Sequence, residues 1–307
     1  MTRFFLHYLV LPIALVLAAG TYAFFIYHPE LQHNLGSVLT DFIAFVACMT
    51  VLALWLFAWE WRESSRTFEL NRRQIVTDLL FSMASITVVG VGHLFVLSIP
   101  EEALFGRLVP VFDLPVVVQI LLVILIHDLI LYWWHRIQHE SGDSFVWRIH
   151  RPHHTPQRLT VLMGGRNHAL DAMALVASLA LTRTLGFSDE SMYWGMWYPA
   201  AVGAIHHANL DLRLGIFNYV LPGPEIHRIH HSVVIEDALN YAPSVPLWDW
   251  VFGTMMPLSD PHEVDYGTPV GDDRNDTIVT AHVYPFQLLV KEKQTGKLKP
   301  DYEPSSS

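Results

Sequence analysis

Cysteine is nearly absent. The 307 residues hold one, Cys48, which excludes an internal disulfide framework and a metal or iron–sulfur site cradled by cysteines. Charge is scarce too. Asp, Glu, Lys and Arg make up 16% of the chain, against roughly 25% in an average soluble protein. The charges present lean acidic, 29 against 19, for a formal net charge of -10. That sign does not suit a nucleic-acid binder. No Gly-x-Gly-x-x-Gly follows a predicted strand, since Gly90-Val-Gly92 lies inside an apolar run. There is no internal repeat and no compositional break that marks a second domain. Apolar residues, by contrast, reach 52%, and there are 18 histidines. This balance excludes an ordinary soluble globule and a disordered chain, and fits a membrane protein with some water-exposed mass. Histidine is the commonest metal ligand and titrates near neutral pH, so its excess requires a use.

The uncharged runs set the architecture. Phe4 to Tyr27 holds no Asp, Glu, Lys or Arg, enough to cross a hydrocarbon core of roughly 30 Å as a helix. Arg3 and the small residues Ala18, Ala19 and Gly20 raise the alternative of a cleaved signal peptide, but the run continues past them, which favours a retained span. Further runs cover 42–59, 79–100 and 114–134, the last with Asp128 as its only charge. Residues 172–210 read as a helical hairpin turning near Gly186 to Glu190, which either crosses the membrane or dips in and returns. The expected fold is therefore all-α: an integral membrane helical bundle of about four spans plus the hairpin, with a histidine-rich helical cap. Residues 1–259 form one membrane-embedded catalytic domain and 260–307 a polar C-terminal extension, ending in a loose tail from Pro300. The segment after the second run carries Arg62, Arg66, Arg72 and Arg73, whereas the one after the first has no Lys or Arg. The positive-inside rule then places the N-terminus and the cap on the cytoplasmic side.

Eight histidines fall in three clusters: His135 and His139; His150, His153 and His154; His227, His230 and His231. The spacings i,i+4 and i,i+3,i+4 put the rings of each cluster on one helix face. Such a face can bring several neutral nitrogen donors to one point, as a metal centre requires. The first cluster extends the fourth span. Pro152 predicts a second helix beginning near His150, and Pro222-Gly223-Pro224 predicts a third beginning just before His227. Eight or more nitrogens suit two metals at four or five ligands each.

Other candidates surround these clusters. His207 and His168 are either ligands or partners of ligands. His206 is disfavoured because adjacent helical side chains point about 100° apart. His127 is ambiguous. His7, His28, His33, His93, His262 and His282 read as non-ligands. Asp128 lies seven residues before His135, on the same helix face, and a carboxylate inside a span is a functional candidate. It is expected to accept a hydrogen bond from a ligand histidine, the alternative being a pair with Arg136. Asn240 and Asp249 are further supporting candidates.

The ordered series resembles the fatty acid hydroxylase/sterol desaturase superfamily over about 114–254. The resemblance is carried by Asp128 with Tyr132-Trp-Trp-His135-Arg136-x-x-His139, then Trp147-x-x-His150-x-x-His153-His154, and His168 before Asp171. It continues through His207-x-Asn209 and Pro224-x-x-His227-Arg228-x-His230-His231 to Asn240-Tyr241, Trp248-Asp249 and Phe252-Gly253-Thr254. The sequence before about residue 110 matches only as generic spans. The resemblance implies a membrane oxidoreductase with two iron ions and O2 as co-substrate. Such an enzyme hydroxylates or desaturates a C–H bond of a sterol, fatty acyl, sphingoid or related lipid. The implied ligands are the eight clustered histidines with His207. Oxidation of an unactivated C–H bond calls for redox chemistry that iron supplies and zinc does not. The electrons are expected from a partner: a ferredoxin, a cytochrome b5-like protein or a reductase.

Two other readings compete. A membrane zinc hydrolase usually has three protein ligands and a nearby Glu as base, and His-Glu-x-x-His is absent here. A non-catalytic metal-binding protein of the transporter type places its ligands at mid-membrane depth, whereas these clusters sit at and beyond the span ends.

Overall fold

The computed structural model describes residues 9–26, 28, 37–67, 72–98, 114–212, 214–234, 238–256, 264–268 and 277–295. The expectations for His7, His33, His262, the 99–113 segment and the tail lie outside these residues. Apart from an isolated bridge between Ser232 and Tyr266, the described residues are helices, turns and loops.

Ten α-helices are described: α1 Val10–Ile26, α2 Ser37–Glu63, α3 Arg72–Ser98, α4 Val116–Glu140, α5 Phe145–His154, α6 Ala169–Arg183, α7 Asp189–His206, α8 Pro224–His230, α9 Leu247–Phe252 and α10 Ile278–Thr295. Among the described residues, three stretches are long and apolar enough to cross a membrane: Leu39–Glu63, Arg72–Val96 and Val116–Glu140, each of 25 residues. At 1.5 Å per residue each runs about 37 Å, more than a hydrocarbon core needs. The described part of the first apolar run, α1, is 17 residues long and packs along α2.

Helices α6 and α7 cover the segment expected to form a hairpin. They are joined through Gly186 in the left-handed region (φ 85°). Their partners on either side are α3 and α4. Two glycines set these approaches: a side chain at Gly92 would strike Val176, and one at Gly195 would strike Val123. The main core lies between α2, α4 and α7, where Cys48, Leu52, Leu56, Val123, Met192 and Ile205 are buried together. On the outside of α3 and α4, Met83, Phe95, Val117 and Leu121 are large, apolar and exposed.

Two buried carboxylates fasten the loops at the histidine end. Glu60, near the end of α2, accepts the backbone N–H of Val161 at 2.7 Å and of Asn209 at 2.6 Å. Asp78 of α3 accepts from Arg158 at 2.7 Å and Arg166 at 3.1 Å. The extremities of α2, α3, α4, α6 and α7 that carry these contacts are one end of the bundle.

One helix start differs from expectation. α5 begins at Phe145, not near His150, because Ser144 caps it by accepting the N–H of Trp147. Pro152 therefore sits in the last turn, where its missing N–H costs one bond to a carbonyl of the preceding turn. α8 does begin at Pro224, with Gly223 before it. Inside the C-terminal extension, α10 packs against α5 and α3.

Candidate metal centre

α4 continues unbroken past the apolar stretch and delivers His135 and His139. α5 delivers His150, His153 and His154, α8 delivers His227 and His230, and His231 follows at its end. His207 caps the end of α7. These nine rings sort into two groups. One is His135, His139, His150, His154 and His230; the other is His153, His207, His227 and His231. Within each group the ligand atoms lie within 4.8 Å of one another. The groups abut, with His154 and His231 stacked at 4.4 Å between ring centroids. Each group draws on several sequence clusters: the first needs α4, α5 and α8 packed together, the second α5, α8 and the end of α7.

Hydrogen bonds fix which nitrogen is bare in four of the nine rings. His135 Nδ1 lies 2.7 Å from the Tyr241 carbonyl, His230 Nδ1 2.8 Å from the Leu239 carbonyl and His207 Nδ1 2.6 Å from the Gly203 carbonyl. His150 Nδ1 lies 2.8 Å from Asp171 Oδ2. Carbonyl and carboxylate oxygens only accept, so in each case Nδ1 carries the hydrogen. In a neutral ring Nε2 is then a naked lone pair. The bare nitrogens of His135 and His150 face each other at 3.0 Å; that of His150 lies 3.1 Å from His154 Nε2, and that of His207 lies 3.1 Å from His153 Nε2 and 2.9 Å from His227 Nε2. His230 Nε2 and His139 Nε2 are buried without any partner. A cation among them removes the repulsion and satisfies the orphaned nitrogens, so the residues fit a metal in both groups.

Protonation is a poor substitute. Burial first, and neighbouring imidazoles second, hold His153, His154, His227, His230 and His231 well below the ordinary histidine value of 6.5. At neutral pH these rings are uncharged donors.

The supporting residues are arranged differently from the sequence expectation. Asp128 neither receives a hydrogen bond from a ligand histidine nor pairs with Arg136. Its Oδ1 accepts the N–H of Ser244 at 2.7 Å and the Ser244 hydroxyl at 2.5 Å, and Arg136 pairs with Glu140. Asp249 accepts the N–H groups of Tyr241 and Ala242, at 2.8 and 3.1 Å, and the Thr254 hydroxyl at 2.8 Å. Burial lifts the Asp249 carboxyl to about 6 despite these bonds. Asn240 stands at φ 61° and accepts from Met256 N–H at 2.8 Å. Together Asp128, Asn240 and Asp249 hold the strap 239–244, whose carbonyls orient His135 and His230. The reason is geometric: the strap, not a histidine, crosses the face of α4 at Asp128.

The contact expected of Asp128 is made by Asp171, which sequence reasoning did not single out. In the first turn of α6 it binds His150, Trp134 Nε1 at 2.8 Å and Gln138 Nε2 at 2.9 Å. The one available signal was a carboxylate opening an otherwise apolar helix. His168 stands apart from both groups. It caps α6, accepting the N–H of Leu170 at 3.1 Å on Nδ1, while Nε2 lies 3.2 Å from the His282 carbonyl. Both nitrogens are thereby engaged. His206 is in neither group and stacks on His227 at 3.6 Å. His127 bonds to Ser178 at 2.9 Å, also away from both.

A helical chain with three membrane-length helices and two metal-compatible histidine groups at one end is the class these observations define. Residues 120–254 match the fatty acid hydroxylase family model, so this stretch of the chain is similar to that family. An ornithine lipid hydroxylase, OlsE, of Rhizobium tropici is 32% identical over 155 residues, covering 50% of this chain and 46% of that protein. Alkylglycerol monooxygenases are also similar. That of Danio rerio is 30% identical over 162 residues, 47% of this chain and 32% of its own length. That of Xenopus tropicalis is 28% identical over 152 residues, 44% and 30% respectively. The matched stretch thus spans less than half the length of these relatives. No solved structure matches the chain significantly.

Proposed function

We propose that this protein is a membrane oxygenase that hydroxylates a C–H bond of a lipid, using O2, external electrons and two iron ions held by the two histidine groups. The observation that carries the reading is the inward convergence of nine imidazoles in two groups, with the Nδ1–H of His135, His150, His207 and His230 tethered to oxygen. A five-nitrogen and a four-nitrogen set exceed the three ligands usual for a zinc hydrolase. Bound iron supplies oxygen-dependent redox chemistry that a side chain cannot. Family relatives with printed names of lipid hydroxylase and monooxygenase favour hydroxylation over desaturation.

The chain's own residues do three things in this account. His135, His139, His150, His154 and His230 hold one metal, and His153, His207, His227 and His231 the other. Asp171 and the carbonyls of Tyr241, Leu239 and Gly203 keep the rings in the right tautomer and raise ligand basicity. Asp128, Asn240 and Asp249 position the strap, and the buried surroundings exclude water. His168 contributes by capping α6, which carries Asp171.

We place the histidine end in the cytoplasm, because Arg62, Arg66, Arg72 and Arg73 lie on that side. The single cysteine and the lack of a dinucleotide fingerprint in these 307 residues favour an electron donor on another chain: a ferredoxin, a cytochrome b5-like protein or a reductase. The test is lipid analysis of cells expressing the protein under isotopically heavy O2. A lipid carrying the heavy oxygen in a new hydroxyl, absent with His230→Ala, is the expected result. No labelled lipid in an assay supplied with reduced donor would overturn the reading.

A further inference from the structure

Two short elements turn their apolar side chains outward. The 3₁₀ turn Gly215–Tyr219 exposes Ile216 (76%), Phe217 (67%) and Tyr219 (52%), and Val220 follows at 68%. On α9, Trp250 and Val251 are 52% and 58% exposed. The Tyr219 and Trp250 rings lie 5.5 Å apart, so the two elements make one patch. Their polar groups point the other way. Glu225, just after the turn, accepts from Leu214 N–H and the Asn218 amide. Asp249 is committed to the strap. Residues 214–224 carry no charge, and 243–256 none but Asp249.

The patch adjoins a lipid-facing helix. Phe252 of α9 stacks on Tyr132 at 5.1 Å and meets Trp133 at 4.9 Å. Trp133 and Ile137 are themselves outward on α4, 42% and 50% exposed. A cluster of large aliphatic and aromatic side chains, meeting the outer face of a membrane-length helix where Arg136 lies over the Trp133 ring at 5.5 Å, has the chemistry of an interfacial anchor. Tyr and Trp favour that depth, and so large an apolar patch is unfavourable in water.

We propose that the 215–219 turn and α9 form a wedge immersed in the acyl-chain region of the leaflet on the histidine side, with bilayer hydrocarbon as its occupant. The inference rests on α4 spanning the membrane, not on the catalytic reading. Its consequence for the site is direct. α9 carries Asp249, so the same six-residue helix contacts lipid and holds the strap that orients His135 and His230.

The test uses the full chain in phosphatidylcholine–phosphatidylglycerol vesicles. Cys48 is fully buried, so spin labels can be placed at Val220→Cys and, separately, Val251→Cys with little background. Power saturation then compares access of O2, which partitions into hydrocarbon, with that of a water-soluble nickel chelate. Val117→Cys on α4 and Gln157→Cys on the cap serve as the lipid and water references, both being exposed. Labels at Val220 and Val251 should behave like that at Val117, open to O2 and closed to nickel. Nickel access like that at Gln157 overturns the proposal. So does low access to both reagents, which would put a second copy or another protein segment over the patch. As a check on the unmodified chain, a bilayer-soluble photoreactive carbene source should mark 216–220 and 250–251, and absence of marking there also counts against the wedge.

Discussion

At the residue scale, the decisive feature is which ring nitrogen carries hydrogen. Among the described residues, Asp171 makes the one carboxylate contact to a ring of either group, at 2.8 Å from His150. Asp171→Asn is expected to lower metal affinity about 10- to 100-fold, the usual effect of losing such a partner. A chelator-competition titration checks this, and unchanged affinity would remove Asp171 from the account. His168 gives the opposite expectation. Because it caps a helix, His168→Asn, which keeps a capping side chain, should leave metal content unaltered; loss of metal would make it a ligand. Acid stability follows from the buried rings. His153, His154, His227, His230 and His231 are held well below their ordinary value, whereas an unfolded chain binds protons at these positions near pH 6.5. Below that pH the unfolded state holds more protons, so folding stability falls as pH drops. Metal-free protein should unfold at lower temperature at about pH 5.5 than at about pH 7.5. A midpoint that stays flat or rises on acidification would contradict the burial of these rings. The clustered histidines were legible because helical spacing forces them onto common faces. Asp171 was not, since its role arises from a contact between helices α5 and α6, and the three carbonyl partners are invisible in any side-chain pattern.

At the scale of elements, the strap 239–244 couples distant parts of the chain. Asp128 on α4 and Asp249 on α9 grip it from two sides. Asp249→Ala leaves the N–H groups of Tyr241 and Ala242 without their acceptor, at a cost of about 1–3 kcal/mol for each one left unsatisfied. It should also disorder the carbonyls that orient His135 and His230, while the group of His153, His207, His227 and His231 keeps its own tether at Gly203. Metal should therefore be lost preferentially from the first group, read as a fall to about half the parent content; equal loss from both groups would argue against the strap's local role. Packing of α4 on α7 offers a separate test. A larger side chain at Gly195 collides with Val123, so Gly195→Leu is expected to destabilise the bundle by about 1–3 kcal/mol. Helix positions were largely readable, since apolar runs and proline–glycine punctuation mark them. The start of α5 was misplaced because a serine cap and a proline tolerated in the final turn carry weaker signals than a proline near a helix start.

At the scale of the whole molecule, the bundle of apolar helices with a histidine-bearing end follows from composition and run length. Periodicity could not assign partners. That α3 packs on α6 and α4 on α7 depends on close approaches at Gly92 and Gly195, and that three sequence clusters become two spatial groups depends on how α4, α5 and α8 meet. The strap and wedge belong to this level as well: an apolar stretch of turn or short helix reads the same in sequence whether it faces a core or a bilayer. Two irons held by nine histidines would be visible first in the metal content of the purified chain. The protein should be purified without a histidine tag or chelator, reconstituted anaerobically with ferrous iron, and assayed beside His230→Ala and His227→Ala. About two irons per chain, reduced in both variants, is the expected result. No retained iron, or variants that keep the full complement, would contradict the account and require the two groups to be reinterpreted.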